Sequence, residues 1–310
     1  MTARLAILCP GQGAQNAAMF DLPCSQPGAL GRVEGWLAGA GGPVAHMPLA
    51  ALLAHPSAMF DNRCAQPLVV AASLAAWSAL APRLPRPSLV AGYSVGEISA
   101  YAVAGVFALD GAVALAAQRA DIMSETARTT GDQGMLAIGG IAPAMLADMA
   151  ARAGCEVAIR LPAGAVIGGL AANLATFEAL ARQAGASVTQ LPINIASHTG
   201  CLRDAVGPLR DLFGAQAGAP SLPLLAGILG DLVHDAGQAA DLLARQAAEP
   251  IAWADCLDAM AELRIDVALE LGPGSALTRM LREHHPRIAC RSLADFRSLD
   301  GVVAWVAAQD

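Results

Sequence analysis

The chain reads as an α/β protein built around a mostly parallel sheet, with a smaller β-α-β-β-α-β unit inserted in its middle. Three observations predict this. Short apolar runs alternate with alanine-rich stretches of helical length along most of the 310 residues. Several of those runs end in glycine-rich turns that open directly onto helix-like segments. Between roughly residues 128 and 193 the rhythm changes, and the strand and helix signals follow the order of a ferredoxin-like unit.

The elements can be justified in order. Leu5, Ala6, Ile7, Leu8 and Cys9 form an uninterrupted apolar run, as a strand buried on both faces requires, and Pro10-Gly11-Gln12-Gly13 turns it. Residues 68–80 have helical length and composition. Residues 88–91 are a second strand, followed by Gly92-Tyr93-Ser94-Val95-Gly96 and a helix-like segment beginning at Glu97. Residues 111–125 read as a helix. In the middle unit, strands are expected at 135–138, 156–161, 165–167 and 187–191, with a hairpin across Pro162-Ala163-Gly164. Its helices are expected at 142–153 and 174–184. Residues 222–226, 266–271 and 288–292 complete the outer strands. Such an arrangement divides the chain into a large part, roughly 1–127 with 194–310, and a small one, roughly 128–193. The small part would form one wall of a cleft, a frequent place for a ligand.

Composition narrows the function. With 55% hydrophobic and 15% charged residues there is material for a substantial core. No apolar stretch reaches spanning length, and the N-terminal one is too short for a secretory signal, so a cytoplasmic, membrane-free protein is expected. A net charge of −7 and the lack of any basic run disfavour a nucleic-acid partner. Cysteines stand at 9, 24, 64, 155, 201, 256 and 290. An odd number with no C-x-x-C pair argues against a disulfide framework and against a zinc site. The chain contains no lysine. Lysine is therefore not available as a base, Schiff-base former or phosphate clamp.

The segment around Ser94 carries the strongest chemical signal. Strand, glycine, serine, glycine, helix is the order of a nucleophile elbow, in which a tight turn pushes the serine hydroxyl out at the end of a strand. A serine nucleophile needs a base, an orienting group and oxyanion donors. Among six histidines, His284 and His285 read as solvated, and His46, His55 and His234 lie in loop-like surroundings. His198 follows an apolar run at the exit from the small unit and is the candidate base, against the alternative of a loop histidine bonded to nearby backbone. Arg119 shares the apolar stripe of its helix with Leu115, Ile122 and Met123. It is either a structural ion pair, a side chain that reaches water, or a bidentate clamp for a substrate carboxylate. The turn at Gly11-Gln12-Gly13 lacks the third glycine of a dinucleotide fingerprint, and could instead aim backbone N–H groups at an oxyanion.

Taken in order, these motifs resemble the malonyl-CoA:acyl carrier protein transacylases. The resemblance rests on Pro10-Gly11-Gln12-Gly13-Ala14-Gln15, Gln66-Pro67, Gly92-Tyr93-Ser94-Val95-Gly96-Glu97 and Gln118-Arg119 with Met123. It continues through Gly134-Met135, Ser197-His198, Gln246 ahead of Pro250-Ile251-Ala252-Trp253, and Glu270-Leu271-Gly272-Pro273-Gly274. It implies a hydrolase-like large subdomain and a ferredoxin-like small one. It implies that Ser94 carries the acyl group, that His198 is base and then acid, and that a backbone carbonyl near Gln246 orients the histidine. Gln12 and Val95 would supply the oxyanion N–H groups. Arg119 would pair with the malonyl carboxylate, with Met123 and Gln246 beside it. The acceptor would be the prosthetic thiol of an acyl carrier protein, with no metal or redox cofactor, and the enzyme would be a monomer or a weak dimer.

Two departures refine the resemblance. Tyr93 stands where histidine commonly precedes the serine, and Ile159-Arg160-Leu161-Pro162 replaces an asparagine-rich stretch. With the acidic, lysine-free composition they make the chain look more like the transacylase subunit associated with malonate decarboxylase. That subunit primes a carrier bearing a dephospho-coenzyme-A-derived group. A housekeeping fatty-acid or polyketide transacylase is the alternative, and a serine hydrolase or thioesterase a further one. An acidic carrier would need a local arginine patch, for which Arg160 and Arg203 are candidates.

Overall fold

The strands of the computed structural model, which describes residues 3–309, are β1 (Leu5–Cys9), β2 (Leu89–Gly92), β3 (Gln133–Gly139), β4 (Glu156–Leu161), β5 (Gly164–Leu170), β6 (Ser187–Gln190), β7 (Leu225–Ala226), β8 (Asp231–Leu232), β9 (Ile251–Ala252), β10 (Val267–Glu270) and β11 (Ala289–Ser292). The large sheet runs β11-β10-β1-β2 with every pairing parallel. All residues of β1, β2 and β10 are buried, because helices cover both faces of a parallel sheet. The fold is thus the α/β architecture expected. The strand expected at 222–226 is shorter. Only Leu225–Ala226 is regular, and Leu224 makes a single parallel bridge to Val90. Pro223 has no N–H to extend the ladder, although its carbonyl accepts from Val90 N at 2.8 Å.

The inserted unit has the predicted order. Its strands pair antiparallel as β6-β3-β5-β4, and helices Pro143–Arg152 and Ala171–Gln183 supply the two crossovers. Two features were not expected. β9, a two-residue strand far along the chain, joins the open edge of this sheet in parallel with β4. The hairpin strand β5 also runs from Gly164 to Leu170, longer than 165–167. The adjacent Gly168 and Gly169 hide the strand signal, and the structure gives the reason for both glycines. A Cβ on Gly168 would lie 2.9 Å from Thr199 Cγ2, and one on Gly169 would lie 3.2 Å from Cys155 Sγ.

Packing then fixes the two parts against each other. The small unit has its own core, including Leu136, Ile138, Leu146, Ile167 and Phe177. A second cluster is shared: Met135, Ala158 and Val166 of the small sheet pack with Leu8, Ala91 and Trp253. Burying one set of side chains from both sheets ties the inserted unit to the large sheet. Helix Asn62–Leu80 starts earlier than its apolar run, because the Asp61 side chain caps it by accepting from Arg63 N at 3.0 Å. Helix Leu109–Thr130 carries Arg119 on its buried side. Among the described residues no helix is long and apolar enough to cross a membrane.

Candidate active site

Ser94 sits at the end of β2 with φ of 55°, in the left-handed region. Only small neighbours allow that turn. A Cβ on Gly92 would fall 2.3 Å from Glu97 Cα, and one on Gly96 would fall 2.1 Å from the Cys9 carbonyl oxygen. A Cβ on Gly11 would meet the Tyr93 carbonyl at 2.9 Å, so the turn after β1 presses against the elbow. Helix Gly96–Val103 begins immediately behind the serine. Among the described residues only three non-glycines adopt positive φ, and His198, at 65°, is another. Strain of this kind is held in place where packing and hydrogen bonds over-determine it.

The two strained residues meet. Ser94 Oγ lies 2.8 Å from His198 Nε2, and His198 Nδ1 lies 2.5 Å from the carbonyl oxygen of Gln246. A carbonyl can only accept, so Nδ1 carries the proton and Nε2 is free to accept from the serine hydroxyl. His198 N donates to the Ala247 carbonyl at 2.8 Å, which anchors the backbone as well. The imidazole is 1% exposed. Burial, aided by the nearby Arg119 charge and opposed by the Gln246 carbonyl, lowers its pKa to about 3. It is therefore neutral at physiological pH, the state a general base needs.

The backbone N–H groups of Gln12 and Val95 have no hydrogen-bond partner among the described residues. Both flank Ser94, one from the turn that touches Tyr93 and one from the residue after the nucleophile.

The surroundings of Arg119 argue against two of the readings left open by sequence. The side chain neither reaches water nor forms a direct ion pair: it is 1% exposed, and two neutral amides hold it. Nη1 donates to Gln66 Oε1 at 2.6 Å and Nη2 to Gln246 Oε1 at 2.9 Å, while Nε has no partner. Met123 is buried beside it, its Sδ 3.7 Å from Gln66 Nε2. Gln246 is the hub of the site. Its Nε2 donates to the Ser94 carbonyl at 3.0 Å and to Glu97 Oε2, and its own carbonyl holds His198. Glu97 is fully buried, and burial raises its carboxyl to about 7 against the opposing bonds from Gly227 N and Gln246. Burial likewise lowers Arg119 to about 10.

The chain matches the acyl transferase domain family over residues 7–289. It belongs to that family. It is 32% identical over 306 residues to the malonyl CoA-acyl carrier protein transacylase of Mycobacterium tuberculosis strain CDC 1551, covering 96% of this chain and 98% of that protein. Among solved structures it is similar to the crystal structure of MCAT from Mycobacterium tuberculosis, with a TM-score of 0.87 and 32% identity over 97% of this chain and 99% of that one. It is also similar to the malonyl-CoA:acyl carrier protein transacylase from Xanthomonas oryzae, with a TM-score of 0.88 and 28% identity over 98% and 99%. The acyl transferase family thus spans both parts of the fold, including the inserted unit.

Other expectations can now be placed. His284 and His285 are not free in solvent: each points Nε2 at Asp258 Oδ1, at 2.8 and 2.9 Å, since the end of one helix packs beside another. Arg160 is engaged by Asp255 at 3.2 Å, whereas Arg203 has no ion pair among the described residues. Glu270, quoted above only within a motif, is engaged structurally. Its carboxylate accepts from Leu277 N at 3.2 Å and Thr278 N at 2.8 Å and caps the helix that follows. Sequence reasoning quoted Gln66 and Glu97 only as parts of motifs and gave neither a role. The usable signal for Gln66 was an amide just ahead of the long apolar run of its helix, which must find a partner once buried.

Proposed function

We propose that this acyl transferase moves a malonyl group from coenzyme A to the thiol of an acyl carrier protein through an ester on Ser94. One observation carries the choice of malonyl: a buried guanidinium, bound only by neutral amides, shares Gln246 with both members of the Ser94–His198 pair. An acyl group bearing a free carboxylate would give that guanidinium its anion, and acetyl would leave it without one. The names of the similar proteins support the same reading.

The chemistry follows from the geometry. Ser94 Oγ passes its proton to His198 Nε2 and attacks the thioester carbonyl. The tetrahedral oxyanion accepts from the N–H groups of Gln12 and Val95. Collapse breaks the C–S bond, and His198 returns the proton to the departing coenzyme A thiolate. In the second half the carrier thiol gives its proton to His198 and attacks the ester carbonyl, and Ser94 Oγ leaves with that proton. The Gln246 carbonyl stabilises the imidazolium formed in each half, the role an aspartate has in a serine triad.

We further assign the carrier to the malonate decarboxylase type, on the strength of Tyr93 and Ile159-Arg160-Leu161-Pro162. The seven free cysteines suit a reducing, cytoplasmic setting. Intact mass after mixing with malonyl-CoA tests the first reading. A malonyl adduct is expected on the wild type, much weaker with acetyl-CoA and absent from Ser94→Ala. Steady release of free coenzyme A without an adduct would point to hydrolysis instead. Faster transfer to a carrier with a dephospho-coenzyme-A-derived group than to a phosphopantetheine carrier tests the second, and the reverse preference would overturn it.

A further inference from the structure

Glu97 and Arg119 are buried opposite charges joined through a single amide. Gln246 Oε1 accepts from Arg119 Nη2 at 2.9 Å, and Gln246 Nε2 donates to Glu97 Oε2. Each ion is 1% exposed. Around Glu97 the titratable groups are Arg119, Tyr101 and Cys256, and the remaining contacts are the Gly227 N–H at 3.1 Å and the Gln246 amide. Of these only Arg119 is a cation. Glu97 is likewise the acid whose charge reaches Arg119.

A guanidinium out of water needs a counter-charge, and in the free enzyme Glu97 supplies it across Gln246. A malonyl carboxylate at Arg119 would bring a second anion to a site with one cation. Two buried carboxylates with one positive charge cannot both stay ionised at low cost, and the weaker acid takes a proton. The malonyl carboxyl would meet the guanidinium directly. Glu97 lies one amide further away and is already held near neutrality by its burial, with a carboxyl raised to about 7.

We propose that Glu97 is the resident counter-charge of Arg119 and that binding of the malonyl carboxylate transfers this pairing to the substrate, with a proton from solvent taken up on a Glu97 carboxylate oxygen. The inference rests on the malonyl reading of Arg119. No substrate bond changes in this step: the site gains one anion and one proton, and both leave when malonyl departs on the carrier. Glu97 touches no reacting atom, so it is a positioning residue that keeps Gln246 turned toward Arg119 and matches charge to occupancy.

The experiment uses Ser94→Ala, which stops at binding. Malonyl-CoA and acetyl-CoA are titrated calorimetrically at pH 8 in phosphate and in Tris, whose ionisation enthalpies differ. Acetyl-CoA subtracts any proton taken up by the nucleotide phosphates. The expected result is an additional uptake of about one proton with malonyl-CoA, and malonyl affinity falling by up to about tenfold per pH unit above neutrality. Adding Glu97→Gln should abolish the additional uptake and flatten that pH dependence. Should this double variant fail to fold, the uptake in Ser94→Ala decides by itself. Preferential malonyl binding with no additional proton would overturn the proposal while leaving the malonyl reading intact. Equal affinity for the two thioesters would overturn both.

Discussion

His198 Nδ1 is held 2.5 Å from the backbone carbonyl of Gln246, while the side chain of the same glutamine holds Arg119. One residue therefore serves base and guanidinium through separate atoms, and a side-chain substitution removes only one of the two services. Gln246→Ala is expected to keep the acyl-enzyme-forming rate within about tenfold. It should lose about 1.5–3 kcal/mol of discrimination between malonyl and acetyl, the value of a hydrogen bond to a charged group. Comparing kcat/KM for the two thioesters reads this directly.

Arg119→Lys keeps the charge but cannot reach both Gln66 and Gln246 with a planar fork. Malonyl kcat/KM should fall by about 2–4 kcal/mol, on the order of 10²-fold, with acetyl nearly unaffected. An equal loss for both substrates would mean that Arg119 shapes the site and does not read the carboxylate.

The depressed pKa of His198, about 3 when folded, ties stability to pH. An unfolded histidine protonates near pH 6.5, so between that value and about 3 the unfolded state binds more protons. The stability is present above 6.5 and is lost as pH falls toward 3, by on the order of 4 kcal/mol at the acid end. Thermal melts from pH 7 to 4 should show a steeper fall for the wild type than for His198→Asn. The Ser94-dependent rate should show no loss of the base near pH 6.5.

Gly96→Ala places a methyl 2.1 Å from the Cys9 carbonyl oxygen, a backbone atom that cannot turn away. A loss above about 3 kcal/mol is expected, as for other severe overpacking. The denaturation midpoint in urea measures it. Gly207, whose added Cβ meets nothing within 4 Å, is the control.

Tyr93 packs edge-on against Trp253, with ring centroids 5.2 Å apart at 88°. Tyr93→His gives up part of that contact, about 0.5–1.5 kcal/mol beyond area alone. A small drop in Tm with the malonyl-enzyme still formed is expected. Loss of the adduct in a folded variant would assign Tyr93 a part in the chemistry.

Local signals made much of this protein legible before its structure. An unbroken apolar run at β1 names a doubly covered strand, because a sheet buried on both faces has no polar side to alternate with. Glycines at 92 and 96 around Ser94 name the elbow, because backbone passes too close there for a side chain. The βαββαβ order follows from strand and helix periods read segment by segment. Less legible were β9, too short to carry a period, and β5, whose paired glycines erase the strand pattern.

By itself, then, the sequence determined the α/β class, the inserted unit, Ser94 as the residue on the elbow, and a short set of partners for it. Those are properties of neighbours along the chain, where sterics and periodicity act over a few residues. Tertiary structure alone decided that His198, the candidate, actually meets the serine and the Gln246 carbonyl, and that Arg119 is bound by two amides and faces Glu97 across Gln246. These contacts join residues 48 to 152 positions apart. They exist only because the parallel sheet and the inserted unit bury a common set of side chains, and the charge state of each group is set by the water that this burial removes.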